Sequence, residues 1–258
     1  MREDALVVLQ ITDVHLLGPS EKLLGVDTAD SLCAVLDQAL AEQTPDALIA
    51  TGDIAHRGES AIYERFMNLV VERFAGPVLA LPGNHDIWAT MRGLLSEPCV
   101  LSLPGWDIIG LDSHVDDSPG AAVGEPDLVA LRAACEGAAG KHALLATHHP
   151  PIDVDCPWLD KDRIQNADQM LEWLSERSTV RAMVFGHAHQ VVESRYRNIS
   201  LLGTPSTCFQ FKPRTEKFAI DDRKPGYRWL RLGGDGSVAS EVRRVEDYPL
   251  NIDLSAVR

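Results

Sequence analysis

The sequence predicts an α/β fold, a four-layer α/β/β/α sandwich of two mixed sheets packed face to face with helices outside. Three observations predict it. Short apolar runs alternate with amphipathic stretches through most of the chain, the pattern of βα units. The tail then changes to strands and turns without helical periodicity, so antiparallel strands join the parallel ones. No internal repeat, low-complexity tract or linker divides residues 1–258, which read as one domain.

Each element follows from its local pattern. Leu6–Thr12 is a short apolar run that ends at an aspartate, the length and boundary of a buried strand. Asp30–Glu42 carries Leu32, Val35, Leu36 and Leu40 at helical spacing, and strand Ala47–Gly52 closes on a glycine. Ser60–Phe74 repeats the helical pattern through Ile62, Phe66 and Val70. Strands Val78–Leu81, Val100–Leu103 and Asp107–Asp112 come next, then strand Ala143–Thr147, helix Ala167–Glu176 and strand Ala182–Phe185. The tail supplies strands Val191–Arg197, Ile199–Gly203, Tyr227–Leu232 and Ser237–Val245. Gly233-Gly234-Asp235-Gly236 between the last two is a hairpin turn.

Composition narrows the function. The chain has 38 acidic and 24 basic residues and a formal charge of −14, which argues against a nucleic-acid partner held by its phosphates. A small anionic substrate stays open, because a bound metal inverts the local sign. No run approaches the roughly 18 apolar residues of a membrane span, and Arg2-Glu3-Asp4 before the first run is not a secretory leader. The cysteines at 33, 99, 135, 156 and 208 are odd in number and form no CxxC pair. Reduced thiols in a cytoplasm are therefore expected.

Five strand ends carry polar clusters: Asp13-Val14-His15, Thr51-Gly52-Asp53, Pro82-Gly83-Asn84-His85-Asp86, His148-His149-Pro150-Pro151 and His187-Ala188-His189. Taken singly, each is explained by turn chemistry, a helix cap or a satisfied histidine. Together they hold six of the nine histidines, always directly after an apolar run. Strand alternation sends residues i and i+2 to one side, so His187 and His189 are expected to face one point. Neutral imidazoles and carboxylates that converge beyond strand ends suit one cation or a pair.

The five clusters, Asp13-x-His15, Gly52-Asp53, Gly83-Asn84-His85-Asp86, His148-His149 and Gly186-His187-x-His189, resemble the motif set of calcineurin-like metallophosphoesterases. Leu23-Leu24-Gly25-Val26, Trp158-Leu159-Asp160 and Thr204–Pro213 are similar to segments of the bacterial 3',5'-cyclic-AMP phosphodiesterase branch. The resemblance implies two divalent metal ions. Asp13, His15 and His189 would hold one, Asn84, His148 and His187 the other, and Asp53 would bridge them. It also implies that His85 is catalytic, and that Asn84, His85 and His149 face the substrate.

The reaction implied is hydrolysis of 3',5'-cyclic AMP to 5'-AMP by a metal-bridging hydroxide, with His85 stabilising the phosphorane-like charge or protonating the ribose 3' oxygen. Two divalent ions offset by Asp13, Asp53 and a hydroxide leave about one positive charge, matched to a diester monoanion. Oxygen and nitrogen donors without thiolate suit Mn²⁺, Fe²⁺/Fe³⁺ or Zn²⁺. Asp86 either orients the His85 ring or caps the following helix. Trp158 either stacks on adenine or anchors its loop, and Lys212 and Arg214 either steer the anionic substrate or are solvated surface charges, the second being the expectation. Cys156 and Cys208 are expected to be spectator thiols. A broader phosphodiesterase acting on glycerophosphodiesters or 2',3'-cyclic nucleotides is the alternative, and a non-catalytic scaffold is a second. A homodimer is left open.

Overall fold

The computed structural model describes residues 5–94, 100–115, 120–137 and 140–256; Cys99 and residues 2–4 lie outside them. Strand β1 (Leu6–Ile11) is followed by helix α1 (Thr28–Glu42), β2 (Ala47–Thr51), α2 (Ser60–Val71), β3 (Val78–Leu81) and the single turn α3 (Trp88–Met91). Then come β4 (Val100–Leu103), β5 (Trp106–Gly110), α4 (Glu125–Gly137), β6 (His142–Ala146), α5 (Ala167–Ser175) and β7 (Val180–Phe185). The tail holds β8 (Val192–Tyr196), β9 (Ile199–Gly203), β10 (Gln210–Phe211), β11 (Ile220–Asp221), β12 (Gly226–Leu232) and β13 (Val238–Arg244).

Both large sheets are mixed, as the sequence predicts. One has the order β13-β12-β1-β2-β3, with β1, β2 and β3 parallel and β12 antiparallel to β1. The other has the order β4-β5-β6-β7-β9-β8, parallel from β5 to β9 and edged on each side by an antiparallel strand. The period of two assigns the faces. Val8, Ala47, Ile49 and Leu79 meet Ile108, Leu144, Ala182 and Val184 in a core between the sheets. Leu9, Ile11, Leu48 and Ala50 point the other way, onto Leu32, Val35, Leu36 and Phe66 of α1 and α2. Leu145, Met183 and Phe185 pack on Leu171 and Leu174 of α5 and Leu131 of α4. Three cores separate four layers.

Polar groups interrupt the middle core where the two sheets must hold register. Gln10 of β1 donates from Nε2 to Thr51 Oγ1 (3.0 Å) and to the Phe185 carbonyl (3.3 Å), and accepts from Thr204 Oγ1 (2.6 Å). Arg228 of β12 is fully buried and donates to Thr204 Oγ1 (3.0 Å), the Gly203 carbonyl (2.8 Å) and Ser240 Oγ. Burial lowers its guanidinium to about 10, and the nearby Glu193 works against that shift. Arg228→Ala leaves those acceptors dry and a cavity between the sheets. A loss of roughly 2–4 kcal/mol is expected in urea unfolding. Glu193→Ala, at the exposed end of the 3.5 Å pair, is expected to cost under about 1 kcal/mol.

Candidate metal centre

All five polar clusters lie at one end of the two sheets. β1, β2 and β3 deliver Asp13, His15, Asp53, Asn84 and His85; β6 and β7 deliver His148, His149, His187 and His189. The site therefore straddles both sheets. The delivering backbone is not extended. Asp13, His15, Asp53, His187 and His189 have φ of 51°, 47°, 49°, 60° and 48°, the left-handed region that costs a non-glycine residue on the order of 1 kcal/mol or more. Five such residues in one place are held by their surroundings. His187 N donates to both oxygens of Asp13 (3.1 and 3.0 Å), Asp13 N donates to the Gly52 carbonyl, and His15 N donates to the Asp53 carbonyl. The glycines let neighbouring loops touch. A Cβ on Gly83 would lie 2.2 Å from Asp53 Oδ1, and one on Gly186 would lie 2.0 Å from Thr12 Oγ1.

The left-handed turns separate residues that strand alternation puts together. His187 and His189 face different halves of the centre. In one half, His189 Nε2 lies 3.4 Å from Asp13 Oδ1 and 3.2 Å from His15 Nε2. In the other, His187 Nδ1 lies 3.0 Å from Asn84 Oδ1 and 3.3 Å from His148 Nε2, which is itself 3.1 Å from Asn84 Oδ1. Asp53 stands between, with Oδ2 3.5 Å from His15 Nε2 and Oδ1 3.5 Å from His148 Nε2.

These donors fit a pair of ions. Ligands about 2.0–2.2 Å from one ion sit roughly 2.8–3.6 Å from each other, in octahedral to tetrahedral geometry. Every spacing above falls in that range. The proton positions agree. His148 Nδ1 faces the Thr51 carbonyl (2.8 Å) and His189 Nδ1 the Phe209 carbonyl (2.8 Å), and carbonyls only accept. Nδ1 therefore carries the hydrogen on both rings, and Nε2 turns a lone pair inward. Lone pairs gathered this closely repel unless a cation lies among them.

Electrostatics points the same way. Burial, reinforced by His189 and His85, holds the His15 imidazole well below its usual pKa, and burial lowers His148 too. Neutral imidazole is the form that binds metal. For Asp13, burial pushes the carboxyl up, and the surrounding histidines together, His189 first, bring it below its usual value.

Asn84 is exposed and His85 half-buried, both on the open side. His85 N donates to Asp53 Oδ1 (2.9 Å), and its Nδ1 donates to the His56 carbonyl (3.2 Å), which leaves Nε2 for a substrate. His149 is 1% exposed, its Nδ1 on Ser113 Oγ (2.9 Å) and its ring centre 4.7 Å from that of His187. Asp86 takes neither role read from the sequence. It is buried, and its carboxylate accepts from Ile54 N, Ala55 N, Gly83 N and Tyr63 Oη. It fastens the 83–86 turn to the loop behind Asp53, while α3 begins after Ile87 without a side-chain cap.

Three neighbours escape a motif reading. His56 Nδ1 lies 3.4 Å from His15 Nδ1, and its ring stacks on His85 at 4.8 Å. Its place three residues past Asp53 was the available signal. Ser113 and Asp162 carried none. Of the tail, Phe211 stacks on His189 at 4.2 Å. Trp158 is a packing anchor: its Nε1 donates to Thr215 Oγ1 (3.3 Å) and its ring meets Phe211 and Phe218 edge-on. The Cys208 thiol, buried and pushed up to about 12 by that burial, stays protonated beside Ser206.

The calcineurin-like phosphoesterase family matches residues 6–191, well over half the chain. The chain is a calcineurin-like phosphoesterase. Among its relatives, the 3',5'-cyclic adenosine monophosphate phosphodiesterase CpdA of Escherichia coli (strain K12) is 38% identical over 257 residues, covering 96% of this chain and 93% of the relative. The 3',5'-cyclic-nucleotide phosphodiesterase alr5338 of Nostoc sp. is 33% identical, covering 95% and 94%. Among solved structures, a dimetal phosphatase from Danio rerio superposes with a TM-score of 0.61 at 14% identity, over 91% of this phosphoesterase and 98% of that chain. That likeness shows the shared fold alone.

Proposed function

We propose that this phosphoesterase hydrolyses 3',5'-cyclic AMP to 5'-AMP with two divalent ions. The observation that carries the substrate class is the reach of the two relatives named for it, which match 96% and 95% of the chain and so extend past the family's end at residue 191 into the tail. The observation that supports two ions is Asp53, whose two oxygens face His15 on one side and His148 on the other. Asp13, His15 and His189 hold the first ion, Asn84, His148 and His187 the second, and Asp53 serves both. When bound, the ions supply a water of lowered pKa and positive charge against the diester oxygens.

The chain's own residues do the rest. Asn84 fills a ligand position without removing charge that the phosphodiester needs. His85, held by the His56 carbonyl through Nδ1–H, presents Nε2 to the phosphoryl group and, as the doubly protonated imidazolium, gives its Nε2 proton to the leaving 3' oxygen, ending as the neutral Nδ1–H ring. His149, buried beside His187 and tied to Ser113, braces that wall, and meets the substrate only through it. The described cysteines 33, 135, 156 and 208 are free thiols, which supports a cytoplasmic setting. Among the described residues no helix is long and apolar enough to cross a membrane.

Chelation is expected to abolish hydrolysis and Mn²⁺ to restore it. The Mn²⁺-loaded protein is then expected to give its highest kcat/KM with 3',5'-cAMP in a panel containing cGMP, 2',3'-cAMP and glycerophosphoethanolamine. A tenfold preference for either of the last two would replace the substrate and leave the metal centre standing.

A further inference from the structure

We propose that Asp162 is the positioning carboxylate of His187, fixing the ring that holds the second ion and tying that ion's affinity to the loop that carries Trp158. This rests on the two-ion reading above. A histidine that binds metal through one nitrogen nearly always gives its other N–H to an acceptor, which sets tautomer and ring angle. His148 uses the Thr51 carbonyl and His189 the Phe209 carbonyl, while His15 Nδ1 faces His56. His187 is the exception. It turns Nδ1 inward, and its Nε2 is buried with no hydrogen-bond partner. The carboxylate facing that nitrogen is Asp162, with Oδ2 3.7 Å away. At 3.7 Å the charge already acts on the ring, and a small side-chain rotation closes a hydrogen bond.

Asp162 is placed by its loop. Residues 160–162 form a 3₁₀ turn, in which Asp162 N donates to the Leu159 carbonyl (2.9 Å). Asp160 holds the turn by accepting from Val154 N (2.7 Å) and Cys156 N (3.0 Å). Trp158 pins the same loop to Thr215. The side chain of Asp162 is about one-third exposed (30%), so it also borders the open side of the site. A carboxylate there keeps the proton on Nε2 and the lone pair on Nδ1. A neutral acceptor holds the ring less firmly, and a missing one leaves it free to turn.

The test is a Mn²⁺ titration of chelator-stripped full-length wild type, Asp162→Asn and Asp162→Ala, with bound ions counted by elemental analysis at each free concentration. Wild type is expected to take two ions. Asp162→Ala is expected to keep the first at wild-type affinity and to need roughly 10–100-fold more free Mn²⁺ for the second. Asp162→Asn, which keeps an accepting oxygen without the charge, is expected to fall between. A second ion bound as tightly in Asp162→Ala as in wild type overturns the assignment, and so does an equal weakening of both ions, the sign of a loosened loop. Failure of wild type itself to bind two ions would overturn the two-ion reading, and is visible before any substitution is compared.

Discussion

Asp53→Ala is expected to bind neither ion and to lose cyclic-nucleotide hydrolysis by on the order of 10³-fold or more, since transition-state charge stabilisation worth several kcal/mol goes with the ions. Among the described residues, Asp53 is the carboxylate with one oxygen close to a histidine ring nitrogen of each half. Asp13 comes within 3.4 Å of the His189 ring and otherwise accepts from His187 backbone N, whereas Asp53 reaches the His15 ring with one oxygen and the His148 ring with the other, 3.5 Å each. It also accepts from His85 N, so its loss frees the 83–86 turn on one side. Asp86 still holds that turn through Gly83 N, Ile54 N and Ala55 N, and the fold is therefore expected to survive. Ion counting on dialysed protein, with circular dichroism as the fold control, decides the matter. Two ions per chain in Asp53→Ala would sink the bridging assignment.

His85→Ala is expected to keep both ions and to lower turnover of cAMP by roughly 10²–10⁴-fold. The ions stay because the contact between this residue and Asp53 is made by backbone N, which alanine retains. Turnover falls because the ring whose Nδ1 rests on the His56 carbonyl is gone. If the ring protonates the leaving oxygen, the loss shrinks for a nitrophenyl diester, whose leaving group needs little protonation. An equal loss on both substrates would make the ring an electrostatic contact with the phosphoryl group.

Much of this was legible in the sequence because it is written in side chains. The strands read as short apolar runs, and those noted fall within a residue or two of β1–β9, β12 and β13. Helix α4 was missed because its apolar stripe is thin: Leu128 and Leu131 face the sheet while Val129 is 54% exposed. β10 and β11 are two residues each, too short for any period. The ligand candidates were legible as strand-end clusters, but their directions were not. Alternation predicts that His187 and His189 face one point, and left-handed φ at both sends them to opposite halves. The supports were the least legible. Backbone carbonyls of Thr51, His56 and Phe209 leave no mark in a sequence, and Asp162 looks like any charge in a loop. Thr204–Pro213 stood out only by its resemblance to the cyclic-AMP phosphodiesterase branch, and it supplies the carbonyl that orients His189.

The pairing of β1 has a consequence for how the chain comes off the ribosome. Leu6 sits opposite Leu232, so the strand that leads to Asp13 and His15 lacks one neighbour until β12, far downstream in the chain, has been made. β2 and β3 can dock on it early, through connections of ordinary length, but its other edge stays open throughout. An open apolar edge is a template for pairing with another nascent chain, and contacts this distant in sequence form slowly. Truncation just before β12 would therefore strike first at β1, as aggregation during synthesis, although every ligand candidate lies upstream of the cut.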